Sequence, residues 1–277
     1  MANGRSLYQK TFSLALSQPW LAQQEKSIHS LFSECDTDEQ LDLITDLLHG
    51  FTFLNQSQEQ ALLSRIVQDV VAAGPSESEV QIVALSAGDD PDSSQAIIYA
   101  LKPLFAKVGW RSVRLVNQFV KAQQYAHENK FVFLIDEFVG TGRTLLGRVS
   151  TMKKDFANNK GVKDAKFYAL AYAGMSDALT VLKDSNLFES VSFYSVLSKG
   201  ISQRSSSPSA ELVLMDELES KLQQILSGYN LPRLGDGGCE ALYGREGGNC
   251  PNSVFPIFWW PQSSGEKERH TLLVRRF

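Results

Sequence analysis

The chain reads as an α/β protein built on a parallel or mostly parallel sheet flanked by helices, and three features of the sequence say so. First, residues 131–135 (FVFLI) form an apolar run too short for a helix and rich in β-formers, the pattern of a strand buried on both faces. Second, that run leads through two acids, Asp136 and Glu137, and a Gly/Thr loop into a helical pattern at Leu145, Leu146, Val149 and Met152. Third, another strand–loop–helix unit lies upstream, with residues 81–85 (QIVAL) as the strand and Ala96, Ile97, Tyr99, Ala100 and Leu101 on the helix. That order places each loop at the carboxyl end of a parallel strand, where open α/β sheets bind ligands.

Length and composition set the bounds. A chain of 277 residues holds one large domain or one core with appendages. A hydrophobic content of 43% is that of an ordinary globular protein. The net charge of −4 does not advertise nucleic-acid binding. No apolar run approaches the roughly eighteen residues of a membrane span, and the amino terminus, MANGRSLYQK, has no apolar signal core. Cys35, Cys239 and Cys250 are odd in number and widely spaced, which predicts thiols in a reducing cytoplasm rather than disulfides or a zinc site.

In chain order, residues 1–75 read as a helical segment. Trp20, Leu21, Ile28, Leu31 and Phe32 recur at helical spacing, and Leu41, Ile44, Leu47 and Leu48 do so again behind an acidic start. A third helix opens on Ser57 and Gln60, spaced as a capping box, and carries Leu62, Leu63, Ile66, Val67, Val70 and Val71 before Gly74-Pro75 ends it. Residues 76–200 read as the α/β core. Further strands are expected at 111–116, 166–173 and 192–197, with a helix or loop over 117–130. Lys153, Lys154, Lys160, Lys163 and Lys166 cluster along one stretch, a solvated face or a nucleic-acid or phosphate patch. Residues 201–277 read as an irregular cap, with a polar linker at 203–209 and an amphipathic helix over 216–226. Its Gly- and aromatic-rich end carries Phe255, Phe258, Trp259 and Trp260 beside a polar turn that includes Asn252.

The chemistry concentrates after the 131–135 run. Gly140, Thr141, Gly142, Arg143 and Thr144 lead into a helix, and its free N–H groups with two hydroxyls suit a phosphate. Asp136 and Glu137 would repel that phosphate, so they should face hydroxyls or a metal on the same ligand; a sugar phosphate has both ends. A Walker B strand is the competing motif, but no G-x-x-x-x-G-K-[ST] loop accompanies it, and Leu145 stands where a dinucleotide fingerprint needs its third glycine. A buried strand with a plain glycine turn is the remaining alternative.

The same stretch, VFLI-DE-FV-GTGRT, resembles the phosphoribosyl pyrophosphate (PRPP) motif of type I phosphoribosyltransferases, with Glu137 where Asp is usual. The resemblance implies that Asp136 and Glu137, as the catalytic candidates, hold the ribose hydroxyls and that residues 140–144 hold the 5′-phosphate. It implies that Ser86, Ala87, Gly88 and Asp89, after the first core strand, contact pyrophosphate, with Mg²⁺ bridged by Asp89 and Asp136. Family members often carry a long basic loop after the second strand, whereas here the 117–130 stretch contains only Lys121 and Lys130 as cations. The ending PNSVFPIFWWP resembles a branch of phosphoribosyltransferase-like proteins in bacterial conflict systems, including retron defence effectors. That likeness implies a hood in which Asn252, Phe258, Trp259 and Trp260 shelter a base. It further implies a reverse transcriptase–DNA assembly and a winged-helix protein as partners. Two functions are therefore expected: an enzyme acting at ribose C1 of PRPP or a nucleotide, or a non-catalytic nucleotide-sensing or scaffold module.

Overall fold

Parallel pairing organises the middle of the chain. The computed structural model describes residues 4–73, 75–88 and 92–276, with side chains from residue 7 onward. Its contacts divide the chain into two compact units, Met1–Asn55 with Ser198–Phe277, and Gln56–Leu197. The first unit opens with helices α1 (Gly4–Ser17), α2 (Glu25–Ser33) and α3 (Asp38–His49), followed by a short strand β1 (Thr52–Leu54). Thr37 caps α3 by accepting the Gln40 N–H, and Asp38 and Glu39 follow in the first turn, where negative charge meets the positive end of the helix.

The second unit contains α4 (Gln56–Ala72), β2 (Val80–Ala84), α5 (Ser93–Lys107), β3 (Arg114–Val116), β4 (Phe131–Val139), α6 (Arg143–Lys160), β5 (Lys166–Met175), α7 (Ser176–Asp184) and β6 (Ser190–Leu197). Five of these strands form one sheet in the order β3-β2-β4-β5-β6, with every pairing parallel. The expected parallel α/β core is therefore present. From β2 the chain crosses to β3 on one side, whereas from β4 it proceeds to β5 and β6 on the other. The neighbours β2 and β4 thus flank the point where the winding reverses, which is where doubly wound sheets open a crevice for ligands.

Right-handed crossovers put α5 and α6 on opposite faces of this sheet. All five residues of β2 are buried, as a strand covered on both sides requires. Gln81 is fully buried there, and its Nε2 donates to the Asn129 carbonyl at 2.7 Å. Asn129 Nδ2 donates in turn to the carbonyls of Ser78 (2.7 Å) and Val80 (3.1 Å), which ties up the amino end of the sheet. Helix α6 is bounded by two left-handed glycines, Gly142 (φ 75°) and Gly161 (φ 69°). The Gly161 N–H closes onto the carbonyls of Phe156 and Ala157, a C-terminal stop that favours glycine. Burial of Leu145, Val149, Met152 and Phe156 holds α6 on the sheet, each side chain contributing about 1.5–3 kcal/mol.

Several local expectations shift. Strand β4 does not end before the acids: β5 is long enough to pair Asp136 with Ala171, Phe138 with Ala173 and Val139 with Gly174, so both carboxyls lie inside a paired strand. Helix α4 starts at Gln56, which puts Ser57 inside its first turn rather than at the cap. The helix expected over 216–226 is α8, Pro208–Ser220. Pro208 at its start needs no backbone donor, so the helix begins within the supposed linker. It ends early because residues 225–226 pair with 229–230 across Ser227 (φ 51°) and Gly228 (φ 82°), a left-handed two-residue turn. The expected apolar helix faces in 1–75 do become core: Ile28, Leu31, Ile44, Leu48, Ile66 and Val70 are all at most 3% exposed.

In the first unit the carboxyl-terminal region is irregular but densely bonded. Residues 243–245 pair parallel with β1. Arg269 meets both oxygens of Glu34, at 2.8 and 2.6 Å, and also donates to the Ile257 carbonyl at 2.9 Å. Glu240, in a left-handed conformation (φ 50°), accepts the N–H groups of Ile201 (2.9 Å) and Ser202 (2.7 Å). No described helix is long and apolar enough to cross a membrane.

Candidate functional site

The carboxyl end of the β2–β4 pair gathers most of the motif residues. Strand β2 stops at Ala84, opposite Ile135, while β4 continues four residues further with β5 as its neighbour. The step leaves room beside Asp136 for the loop after β2. In that loop Ser86 is buried and Ala87 and Gly88 are exposed. The Ser86 carbonyl accepts the Phe119 N–H at 3.1 Å, and the Gly88 carbonyl accepts Gln118 Nε2 at 2.8 Å. Asp89 lies outside the described residues. Asp92 caps α5, accepting the Gln95 N–H at 3.1 Å and the Ser94 hydroxyl at 2.6 Å.

Because successive strand side chains alternate, the two acids diverge. Asp136 shares its face with Leu134, Ala169 and Ala171, and these line a small cavity with Leu145 of α6. Glu137 takes the other face, where it is 3% exposed. On that second face the Tyr172 hydroxyl donates to Glu59 of α4 at 3.2 Å. Burial among apolar groups pushes the Asp136 carboxyl up to about 7, against an ordinary 3.8. The Glu137 N–H, donating to Asp136 Oδ1 at 2.8 Å, and the nearby Arg148 guanidinium oppose that rise; Asp92 and Glu137 add to it. Asp136 thus stands close to its midpoint at neutral pH and is able to hold or release a proton there.

The phosphate-type loop joins this carboxyl to α6. Gly142, in the left-handed region, forms the N-cap, and no side chain caps the helix. The Arg143 N–H reaches Thr141 Oγ1 only at a long 3.4 Å, while the Arg143 side chain donates Nε–H to the same hydroxyl at 3.2 Å. Arg143 and Thr144 are exposed and Gly140 and Thr141 half-buried. The first turn of an eighteen-residue helix therefore faces outward, next to Asp136, with the positive end of its dipole uncapped by a side chain. A Cβ on Gly142 would sit 3.3 Å from Leu182 Cγ of α7, so the glycine serves packing as well as approach.

Sequence reasoning missed Arg148 and Phe119. Arg148 lies on α6 with its guanidinium carbon 5.5 Å from the centre of the Phe119 ring, and it acts electrostatically on both Asp136 and Asp92. The signal available was an arginine one and a half turns into the motif helix. The lysine cluster belongs to the other end of the sheet: Lys166 opens β5 with its ammonium 5.5 Å from the ring of Phe131, which opens β4.

The carboxyl-terminal candidates lie in the first unit. Asn252 is exposed. Phe258 and Trp260 are 0% exposed and Trp259 2%. Trp259 Nε1 donates to the Val254 carbonyl at 2.9 Å, Arg275 lies 5.5 Å over its ring, and Phe258 packs edge-on against Phe51 and Phe255. These rings pack the interior of their own unit.

No curated protein matches the chain. The model of the family described as PRTase-CE matches residues 18–276. A parallel sheet whose winding reverses beside an acid-bearing strand, with a Gly/Thr loop running into a helix, agrees with that match: the chain belongs to the PRTase-CE family and is a phosphoribosyltransferase-like protein.

Proposed function

We propose that the protein binds PRPP or a nucleotide through residues 136–144 and acts on the bond at ribose C1, as an effector of a bacterial antiviral system of the retron type working in the cytoplasm. The observation that carries the binding reading is the junction of Asp136 with the outward first turn of α6 beside the winding reversal. A 5′-phosphate suits the N–H groups and hydroxyls of residues 140–144. A ribose diol donates two hydrogen bonds, which suits a carboxylate acceptor at Asp136. In the reaction, positive charge develops on the sugar as a phosphorylated or base leaving group departs. A carboxylate below the ring then stabilises the transition state more than the bound ground state. Glu137, on the opposite face, would position β4 and set the charge of Asp136 through its proximity. The antiviral reading is supported by the carboxyl-terminal PNSVFPIFWWP segment, with a reverse transcriptase–DNA assembly and a winged-helix protein as its partners.

Among the described residues no group of three or more acids, histidines or cysteines is placed to hold a metal ion. Mg²⁺ fits only as an ion carried largely by substrate phosphates, with a carboxylate from Asp136 and from Asp89. Its contribution would be to neutralise phosphate charge.

One observation favours a second reading, a non-catalytic nucleotide-sensing or scaffold module. The stretch after β3 folds into a short 3₁₀ turn, Phe119–Tyr125, with Lys121 as its one cation, in place of a long basic loop. Calorimetry with PRPP and with nucleoside monophosphates tests the binding that both readings share. Binding should be present in the wild type and abolished by Thr144→Glu, which sets a negative charge in the exposed first turn of α6. No binding of either ligand class by the folded wild type would remove the proposal. A phage-protection assay on Asp136→Asn with Glu137→Gln separates the two readings, because only the enzyme loses its effect at saturating ligand.

A further inference from the structure

The amino end of the sheet, opposite the crevice, carries a basic strip that ligand binding at residues 136–144 leaves unused. Residues 153–166 contain five lysines against two acids, Asp155 and Asp164, in a chain whose net charge is −4. The end of α6 and its connection to β5 bring this stretch to the start of β4, where the Lys166 N–H donates to the Lys130 carbonyl at 2.9 Å. Asp164 is taken by Lys130 at 2.7 Å. Among the described residues no acid pairs with Lys153, Lys154, Lys160, Lys163 or Lys166. Lys154, Lys163 and Lys166 are exposed. Lys160, in the last turn of α6, complements the helix dipole, but Lys163 and Lys166 lie beyond the helix and have no such role. Acids bound the strip on both sides: Glu77 and Glu79 lie just before β2, and Glu189, before β6, stands near the Tyr168 hydroxyl.

Aromatic rings lie between these charges. Phe131 and Tyr168 are half-exposed at the start of their strands. The Tyr168 ring stacks on buried Phe133 (4.4 Å, 12°) and faces Phe131 (6.5 Å, 19°). The Lys166 ammonium lies 5.5 Å from the centre of the Phe131 ring, and that of Lys153 lies 5.5 Å from the ring of Phe167. Phe133 fixes the plane of Tyr168, so less freedom is lost when a flat group stacks there. Cations alone would suit any polyanion. Half-exposed rings among them add a preference for unpaired bases, because a duplex keeps its base faces stacked on one another. An anionic lipid surface is matched instead by a helix with bulky apolar residues turned outward, whereas α6 buries Leu145, Val149, Met152 and Phe156. We propose that this strip binds single-stranded nucleic acid, with phosphates along Lys160, Lys163 and Lys166 and a base on the Tyr168 ring. Five residues of β4 separate Phe131 from Asp136, about 17 Å, so the strip and the crevice are distinct surfaces. The assignment is independent of what the crevice binds.

The test is fluorescence anisotropy with a labelled oligothymidine strand of about fifteen nucleotides. Its abasic counterpart, a duplex of the same length and phosphatidylserine vesicles as competitor serve as comparisons. The proteins are the wild type, the double variant Lys163→Gln with Lys166→Gln, and Tyr168→Ala, with folding checked by thermal melts. The wild type should bind the strand more tightly than the duplex. The double variant should bind it at least about tenfold more weakly, with a salt dependence flatter by about 1.4 in log–log slope. Tyr168→Ala should weaken the oligothymidine about tenfold and the abasic strand less than about threefold. Where Tyr168→Ala lowers the melting temperature, Tyr168→Leu fills the space without the ring and should show the same difference between strands. No binding by the folded wild type overturns the proposal, as does unchanged affinity in the double variant. Equal loss for both strands in the Tyr168 variants, a duplex bound as tightly as the single strand, or displacement of the strand by the vesicles overturns it too.

Discussion

Replacing Asp136 by Asn isolates the most perturbed acid of the crevice. The wild-type carboxyl titrates at about 7 in the folded protein against an ordinary 3.8, chiefly because it is buried. A raised carboxyl favours the folded state while it is protonated. Its contribution is therefore complete below about pH 4 and is lost as pH rises through 7. At about 1.4 kcal/mol per pKa unit the ceiling is about 4 kcal/mol. Partial exposure of the side chain to solvent, which screens these charges, reduces this to about 2 kcal/mol between pH 5 and pH 8. Asparagine keeps the shape and cannot ionise, so Asp136→Asn should gain about 2 kcal/mol on the wild type over that interval. Urea unfolding of both proteins at several pH values reads this directly. Ligand binding gives a second reading: a diol held by the carboxylate should bind the wild type more tightly as pH rises toward 7, and the variant should lack that added dependence. Parallel stability curves for the two proteins would refute the reasoning, since they would mean that the Glu137 N–H and Arg148 offset the burial and leave Asp136 with an ordinary acidity.

Three further outcomes follow from particular contacts. Gly142→Val places a β-branched residue at φ 75° and against Leu182, so it should destabilise the protein by about 1–3 kcal/mol in thermal or urea unfolding, even before ligand is added. Trp259→Ala removes a ring that is 2% exposed and should cost about 3–5 kcal/mol, with the loss read as a lowered melting temperature whether or not a base-bearing ligand is present. Glu219 is fully buried and its carboxyl is pushed up to about 8 by that burial, against Arg233 and with Asp216. Its stabilising contribution is complete below about pH 4.5 and lost through pH 8, so Glu219→Gln, which still accepts the Leu234 N–H (2.9 Å), should gain on the wild type from pH 5 to pH 9 in urea unfolding.

The sheet was legible because its strands are covered on both faces and so read as apolar runs; residues 131–135 and 81–85 stand out for that reason. The loop-to-helix junction was legible because Gly142 and Gly161 bracket α6 with the punctuation that helix ends require. Three things were hidden. The extension of β4 through Asp136 and Glu137 depends on the length of β5, a partner that a local pattern cannot announce. The partition of the two acids between faces follows from that extension, and with it the raised acidity of Asp136. Arg148 is one cation among several in the sequence and becomes distinctive only when Phe119 is brought beneath it by the β2–β3 pairing. In the carboxyl-terminal region the dense aromatics predicted either a core or a ligand surface, and only burial separates these: Phe258, Trp259 and Trp260 fill the interior of their unit.

The most direct measurement is a crystal structure of the protein soaked with PRPP. The account predicts a phosphate at the first turn of α6, within hydrogen-bond reach of the N–H groups and hydroxyls of residues 140–144, with the ribose hydroxyls on Asp136. A phosphate bound elsewhere, or a crevice that remains empty of ligand at saturating PRPP, would contradict it.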